Sequence, residues 1–383
     1  MNSFVSLITI VSSFIPSGLQ SESTMMLKSY KDTTVQILYD PKDSAFTHRL
    51  WQGVPTVAVL PNEELWVAWY SGGKGEGVGN YVTVAKSLDN GKVWQKNVLI
   101  VQPKEEYRVF DPCLWYDARD QKLHLYWSQS YKQIWDGVGG VWSIKKGVND
   151  SLWSAPTYIA DGVMLNKPNI LSKSKVIMPI AYWDKLYNVL AAPKDPAEVG
   201  ANVFIQSGAN GKASYTGKIP MVKEVEDYPE HQIVTLKNGN LWGLVRGKNG
   251  IYQSISKNNG KTWTNAKLFQ IAGGKNPASR FHIQRLSSGN LLLVVNDHRY
   301  RTNLTAFLSS DDGKTWPYKV LIDGRANVTY PDADEDEKGN IYIVYDRDRF
   351  SAKEIILVKL TEKFIIDNTG NANPPIEKII IDN

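Results

Sequence analysis

The chain has 383 residues, 42% hydrophobic and 22% charged, which suits a folded protein with a large core. Lys and Arg outnumber Asp and Glu by 44 to 39, and the net charge of +5 is spread without a basic block, so a nucleic-acid platform is excluded. A lone cysteine, Cys113, rules out an internal disulfide and a multi-cysteine metal site. Next to Pro112 it reads as a small buried hydrophobe.

Residues 1–30 form a leader segment. The apolar run from Phe4 to Val11, followed by Phe14 and Ile15, has the length of a secretory signal core, although no Lys or Arg precedes it. The expectation is a secreted or periplasmic protein, with no later segment apolar for long enough to span a bilayer. Residues 31–383 read as one domain. Thr33 to Tyr39 reads as a strand expected to close the fold by joining its last unit.

A repeat then runs along the chain: an apolar strand, a tight polar turn, and a second strand rich in aromatic and β-branched residues. The six turns are Pro61–Glu64, Ala118–Gln121, Ser172–Lys175, Lys237–Asn240, Ser287–Asn290 and Glu337–Asn340. The strands after them begin near Leu65, Leu123, Val176, Leu241, Leu291 and Ile341, spaced by 58, 53, 65, 50 and 50 residues. In an all-β chain this period predicts a six-bladed β-propeller with four antiparallel strands per blade. The tail after Asn368 is polar until a short apolar end, Ile376 to Ile381, and no segment reads as a long amphipathic helix.

A second repeat lies on the first. Ser87–Trp94, Ser256–Trp263 and Ser309–Trp316 share the pattern Ser-x-Asp/Asn-x-Gly-x-x-Trp, and Ser207 to Ser214 is a degenerate copy. The Asp or Asn can hold backbone amides of its own turn, Gly takes a positive φ, and Trp packs the turn on the blade. These are structural turns on the outer strands. They are also Asp-boxes, and through them the chain resembles the sialidase (neuraminidase) superfamily from about residue 45 to 361.

In a propeller, the residues just before each first strand and just after each second strand gather at one central pit. The first set reads Gln52, Asp111, Lys167 with Asn169, Glu230, Arg280 with His282, and Tyr330 with Asp332. The lead residues lie 13, 12, 9, 11, 11 and 11 positions before the next strand start. The second set reads Lys74 and Glu76 in the loop Gly72–Gly79, Trp135 with Asp136, Trp183 with Asp184, Arg246 with Asn249, Arg299 with Arg301, and Arg347 with Arg349. Carboxyls, arginines and indoles in one pit suit an anionic sugar, with guanidiniums on the acid, indoles on the ring and carboxyls for proton transfer.

The resemblance implies specific roles. Sialidases use a tyrosine nucleophile, because a neutral phenol can approach an anomeric carbon that bears a carboxylate. Val328-Thr329-Tyr330 fits the family's tyrosine. Glu230, leading through Asn238-Gly239 to Arg246, fits its general base and one arginine. Arg301, eight residues before Ser309, fits a second. Glu76 stands where the family carries its acid, with Asp111 or Asp136 as alternatives. The family's first-blade Arg-Ile-Pro is here Gly53-Val54-Pro55, with Gln52 beside it, and Arg49 or Arg280 is expected to compensate. Arg246, Arg301, Arg280, Gln52, His282, Asp136, Trp135 and Asn169 are the expected substrate-binding residues.

The implied protein is an exo-glycosidase acting on a glycan with a terminal acidic sugar. It would need no organic cofactor and no metal, bind neither nucleic acid nor membrane, and act as a monomer. The alternatives are a propeller glycosidase or lyase for a uronic acid or rhamnose-type glycan, and a non-catalytic glycan-binding propeller.

Overall fold

The computed structural model describes residues 35–104, 106–131, 139–183, 199–208, 211–226, 228–271 and 276–383. They form six antiparallel sheets around one axis. Blade one contains β1 (Val35–Tyr39), β2 (Trp51–Val59), β3 (Leu65–Gly72), β4 (Tyr81–Ser87) and β5 (Gln95–Pro103). Blade two contains β6 (Tyr107–Asp117), β7 (Lys122–Tyr131), β8 (Val141–Gly147) and β9 (Thr157–Ala160); blade three contains β10 (Asn169–Ser172), β11 (Lys175–Met178), β12 (Ala201–Ser207) and β13 (Ala213–Ile219). Blade four is β14 (His231–Thr235), β15 (Leu241–Gly247), β16 (Gly250–Ser256) and β17 (Lys267–Leu268). Blade five is β18 (His282–Arg285), β19 (Leu291–Asn296), β20 (Leu304–Ser309) and β21 (Tyr318–Asp323). Blade six is β22 (Val328–Glu335), β23 (Asn340–Arg347), β24 (Glu354–Thr361) and β25 (Ile379–Asp382), with a short helix α1 (Glu362–Asp367) before β25. Residues 1–30, the expected leader, lie outside the described residues. Among the described residues, no helix is long and apolar enough to cross a membrane.

Strand alternation explains why the blades stack. Along β3, Leu65, Val67 and Trp69 face blade six, while Trp66, Ala68 and Tyr70 face blade two, so the strand is apolar on both sides. Six apolar clusters each straddle a junction between neighbouring blades, including that of blade six with blade one, and the cluster between blades one and two reaches on to Trp183 and Tyr330. Burying each Val, Leu or Ile contributes roughly 1.5–3 kcal/mol, so the ring is held mostly at these seams.

The Asp-boxes sit between the third and fourth strands of blades one, four and five. Gly91 N–H donates to Ser87 Oγ at 2.9 Å, Val93 N–H donates to Asp89 Oδ1 at 2.9 Å, and the Trp94 indole donates to the Gly91 carbonyl at 2.8 Å. The box at Ser256 repeats all three bonds. A methyl group at Gly313 would lie 2.6 Å from Trp242 of the preceding blade, so the box glycine also permits blade contact.

The ring closes differently from the sequence expectation. The outer edge of blade six is covered by β25, which pairs Ile380 with Ile356 and Ile379 with Leu357. Since that edge is taken, β1 instead adds a fifth strand to blade one, pairing Val35 with Pro103 and Tyr39 with Leu99. Asp382 then bridges the seam through ion pairs to Arg49 and Lys96 of blade one.

Candidate active site

Three blades begin with the same irregularity. In β2 the pairing register jumps from Gly53 to Thr56, in β6 from Phe110 to Cys113, and in β22 from Thr329 to Asp332. The residues passed over are Val54-Pro55, Asp111-Pro112 and Tyr330-Pro331. Proline has no N–H to lose at a bulge. The residue before it takes a left-handed conformation, with φ of 57° at Val54, 50° at Asp111 and 53° at Tyr330. Each costs about 1–3 kcal/mol, and such strain gathers where side-chain aim matters. All three residues line one cavity of about 210 Å³.

The cavity wall carries three carboxyls (Glu76, Asp111, Glu230), three guanidiniums (Arg246, Arg301, Arg349) and the rings of Tyr70, Trp183, Tyr228 and Tyr330. Glu230 and Arg246 are brought together by the β14–β15 hairpin, where the Arg246 N–H donates to the Glu230 carbonyl at 2.9 Å. Their side chains close a triangle with Tyr330. The phenol donates to Glu230 Oε1 at 3.0 Å, and Arg246 Nη1 donates to the same oxygen at 2.7 Å and to the phenol oxygen at 2.8 Å. Burial pushes the Tyr330 hydroxyl up to about 12, with Arg246 pulling the other way. The phenol is therefore neutral and needs its neighbouring carboxylate to become a nucleophile.

Asp111 has the reverse problem. Burial, then the nearby carboxyls Glu230 and Glu76, push it up to about 8, so it carries a proton at neutral pH. Glu76 is held at the mouth by its glycine-rich loop, which Asn80 braces from within. Both protein bonds to Glu76 end on Oε1, from the Tyr70 hydroxyl at 2.8 Å and from Arg349 Nη1 at 3.2 Å.

Arg349 follows the second strand of blade six. Its Nε donates to Asp346 Oδ2 at 2.9 Å, and its guanidinium lies 4.1 Å from the centre of the Tyr330 ring. A methyl group at Gly53 would stand 2.7 Å from Arg349 Nε. Glycine at 53 thus leaves the space that Arg349 of blade six fills.

The other expected residues lie elsewhere. Arg280 is fully buried beneath the cavity, donating to the carbonyls of Pro55 and Leu165 and to Asn166. With Lys167 and His282 it surrounds Asp332, at 3.4, 3.0 and 2.9 Å, and Thr56 of blade one donates to the same carboxylate at 2.7 Å. This plug ties blades one, three, five and six across the axis, and its cations pull Asp332 far below the usual carboxylate range against the burial that alone would raise it. Gln52 is buried, bonded to the Trp69 indole and the Lys353 carbonyl. Asn169 bonds Thr235 and lines a separate cavity of about 240 Å³ shared with His282. Arg49 clasps the ring seam. None of these lines the cavity with Tyr330, whereas Tyr330, Glu230, Glu76, Asp111, Arg246 and Arg301 all do. Trp135 and Asp136 lie outside the described residues.

Tyr70 and Tyr228 are cavity residues that the sequence did not single out, and Arg349, placed in the pit by its phase, was given no role there. The X-Pro dipeptide at matching phase in blades one, two and six marks a different set, Val54, Asp111 and Tyr330. Among the described residues, Asp117, Asp120 and His124 bring metal-type ligand atoms within 4.8 Å of one another. Arg119 grips Asp117 at 2.6 Å and Lys145 approaches Asp120 at 3.6 Å, so the group is an ion-pair cluster outside the cavity.

The chain belongs to the BNR repeat-like domain family, whose pattern matches residues 63–343. It has the sialidase-like six-bladed form of that propeller. No curated protein matches it. Among solved structures, it is similar to a Hadza microbial sialidase at 14% identity and a TM-score of 0.64, over 83% of this chain and 67% of that one. The intramolecular trans-sialidase of Ruminococcus gnavus matches at 13% identity and 0.62, over 88% and 99%. The α-L-arabinofuranosidase of Fusarium graminearum matches at 12% identity and 0.58, also over 88% and 99%. At these identities the likeness is one of fold.

Proposed function

We propose that this BNR propeller is a retaining exo-glycosidase that releases a terminal carboxylated sugar, sialic acid or a related acid, through Tyr330. The observation that carries this reading is the closed triangle of Tyr330, Glu230 and Arg246 in a cavity with two further guanidiniums. The phenol oxygen attacks the anomeric carbon while its proton passes to Glu230 Oε1. Arg246 steadies the negative charge that develops on both oxygens. Glu76, at the mouth, gives a proton to the departing glycosidic oxygen. In the second half, water attacks the tyrosyl glycoside, Glu76 takes the proton from that water, and Glu230 returns its proton to the phenol. Arg301 and Arg349 hold the sugar's carboxylate, and protonated Asp111 donates a hydrogen bond to the ring without adding charge.

The test is release of a fluorogenic alcohol from its α-sialoside by the wild-type protein and by Tyr330→Phe. Release by the wild type and loss in the mutant is the expected result. A fully active Tyr330→Phe would exclude the tyrosine mechanism. A second reading, a glycosidase for a uronic acid, is favoured by Gly53 standing where the resemblance calls for arginine. Activity on glycuronides and none on sialosides would select it.

A further inference from the structure

Beside the cavity of Tyr330 lies a second cavity of about 190 Å³. The two share Arg301 and Arg349, and the second is completed by Asn327, Thr329, Asp348 and Phe350. We propose that this compartment is a leaving-group subsite that takes the uncharged sugar on the far side of the scissile bond, stacked on Phe350. The inference rests on the glycosidase reading above, which concerns only the first compartment.

Three observations carry it. Phe350 is 64% exposed at the rim of this cavity, and it is held there by a stiff turn. Asp348, with φ of 48°, accepts from the Ser351 and Ala352 amides, its own amide donates to the Asn327 carbonyl at 3.1 Å, and its carbonyl accepts from Lys353 at 2.7 Å. Lys353 Nζ then donates to the Arg49 carbonyl at 2.9 Å, anchoring the turn to blade one. A rigid ring loses little freedom on binding a flat apolar face, which is what a pyranose offers.

The second observation is position. A methyl group at Gly75 would be 3.8 Å from the Phe350 ring, so Phe350 stands over the loop that carries Glu76. Arg349, common to both compartments, donates to Glu76. A glycosidic oxygen facing Glu76 therefore lies at the junction, with the acidic sugar on the Tyr330 side and its neighbour on the Phe350 side. The third observation is charge. Arg301 and Arg349 are engaged by the acid on the Tyr330 side, so the charge left to the second compartment is the carboxylate of Asp348, which disfavours another acid there, whereas the hydroxyls of a neutral sugar find the polar groups of Asn327 and Thr329.

The experiment compares Phe350→Ala, Phe350→Tyr and wild type on two substrates, sialyl-lactose and sialyl fluoride. The fluoride leaves as a single atom and cannot reach Phe350. For Phe350→Ala, kcat/KM on sialyl-lactose should fall about tenfold, with the fluoride unchanged and Phe350→Tyr close to wild type on both. An equal fall on both substrates, or no fall on either, overturns the subsite. If the wild type cleaves neither substrate, the sialidase reading fails, and the compartment is judged by saturation-transfer NMR with lactose alone. Transfer seen in the wild type and lost in Phe350→Ala supports the subsite; no transfer, or equal transfer in both, overturns it.

Discussion

Asp111→Asn is nearly isosteric and removes one titration from the cavity. Asp111 goes from the usual 3.8 to about 8 on folding, chiefly through burial. The sign follows from linkage. The unfolded chain gives up this proton near pH 4 and the folded one holds it until about 8, so each rise in pH between those values favours unfolding. At 1.36 kcal/mol per unit, the penalty at pH 8 has a ceiling of roughly 6 kcal/mol. Part of the rise comes from the charges of Glu230 and Glu76 rather than from burial, so a measured value of about 2–4 kcal/mol is expected. The amide carries no such penalty. Asp111→Asn should therefore match the wild type near pH 4, gain stability relative to it through pH 8, and gain no more beyond. Calorimetry of both proteins from pH 4 to 9 measures this, and the gain at pH 8 should be several degrees in Tm. A stability difference that is flat with pH, or a mutant less stable at pH 8, would refute the claim that Asp111 is held neutral. The same titration should shape activity: kcat/KM of the wild type should decline above pH 8, and that decline should vanish in Asp111→Asn.

Tyr330→Phe should lower kcat by at least about 10³-fold with little change in Tm, because Arg246 still pairs Glu230 at 2.7 Å; steady-state kinetics and a melt check both halves. Gly53→Ala would press a methyl group to 2.7 Å from Arg349 Nε, and should raise KM about tenfold or more while costing about 1–3 kcal/mol of stability; an unchanged KM would show that Arg349 is not a substrate ligand. Asp332→Ala would leave Lys167, Arg280 and His282 facing one another in the plug and should cost about 3–5 kcal/mol in denaturant unfolding. Ending the chain at Lys378 removes β25 and the Asp382 clasp, so it should lower Tm by several degrees and expose the blade-six edge to self-association, read by light scattering.

The blades were legible because each is a repeated solution to one packing problem. Second strands begin at Leu65, Leu241 and Leu291 as the turns require, and elsewhere within one residue. The choice of edge partner was not legible. Residues 35–39 and 379–382 are both short apolar strands, and nothing in either says which open edge it covers. The pit was legible in part for a related reason. Phase along the first strands places a polar residue near the axis in every blade, but it does not give height. At Asp111 and Tyr330 the X-Pro bulge lifts the side chain into the cavity. Arg280 has no such bulge among the pairs of β18 and β19, and it lies in the plug beneath. Phase put Arg349 in the pit, but its closeness to Gly53 at the other end of the chain was not legible.

The charge of the cavity links these pieces. Three guanidiniums face three carboxyls, and a site so balanced would have no electrostatic reason to hold an acid. Protonation of Asp111 leaves at most two carboxylates against three cations, so a net positive charge of at least one remains for the substrate. The burial that keeps that proton in place is produced by the left-handed bulge at Asp111, which turns the carboxyl inward beside Glu230 and Glu76. The strain at 111 and the proton at 111 are thus one device. It costs folding stability at neutral pH in exchange for anion affinity, which is why Asp111→Asn, uncharged at every pH, should be more stable than the wild type and keep its hold on the acid above pH 8, where the wild type loses it.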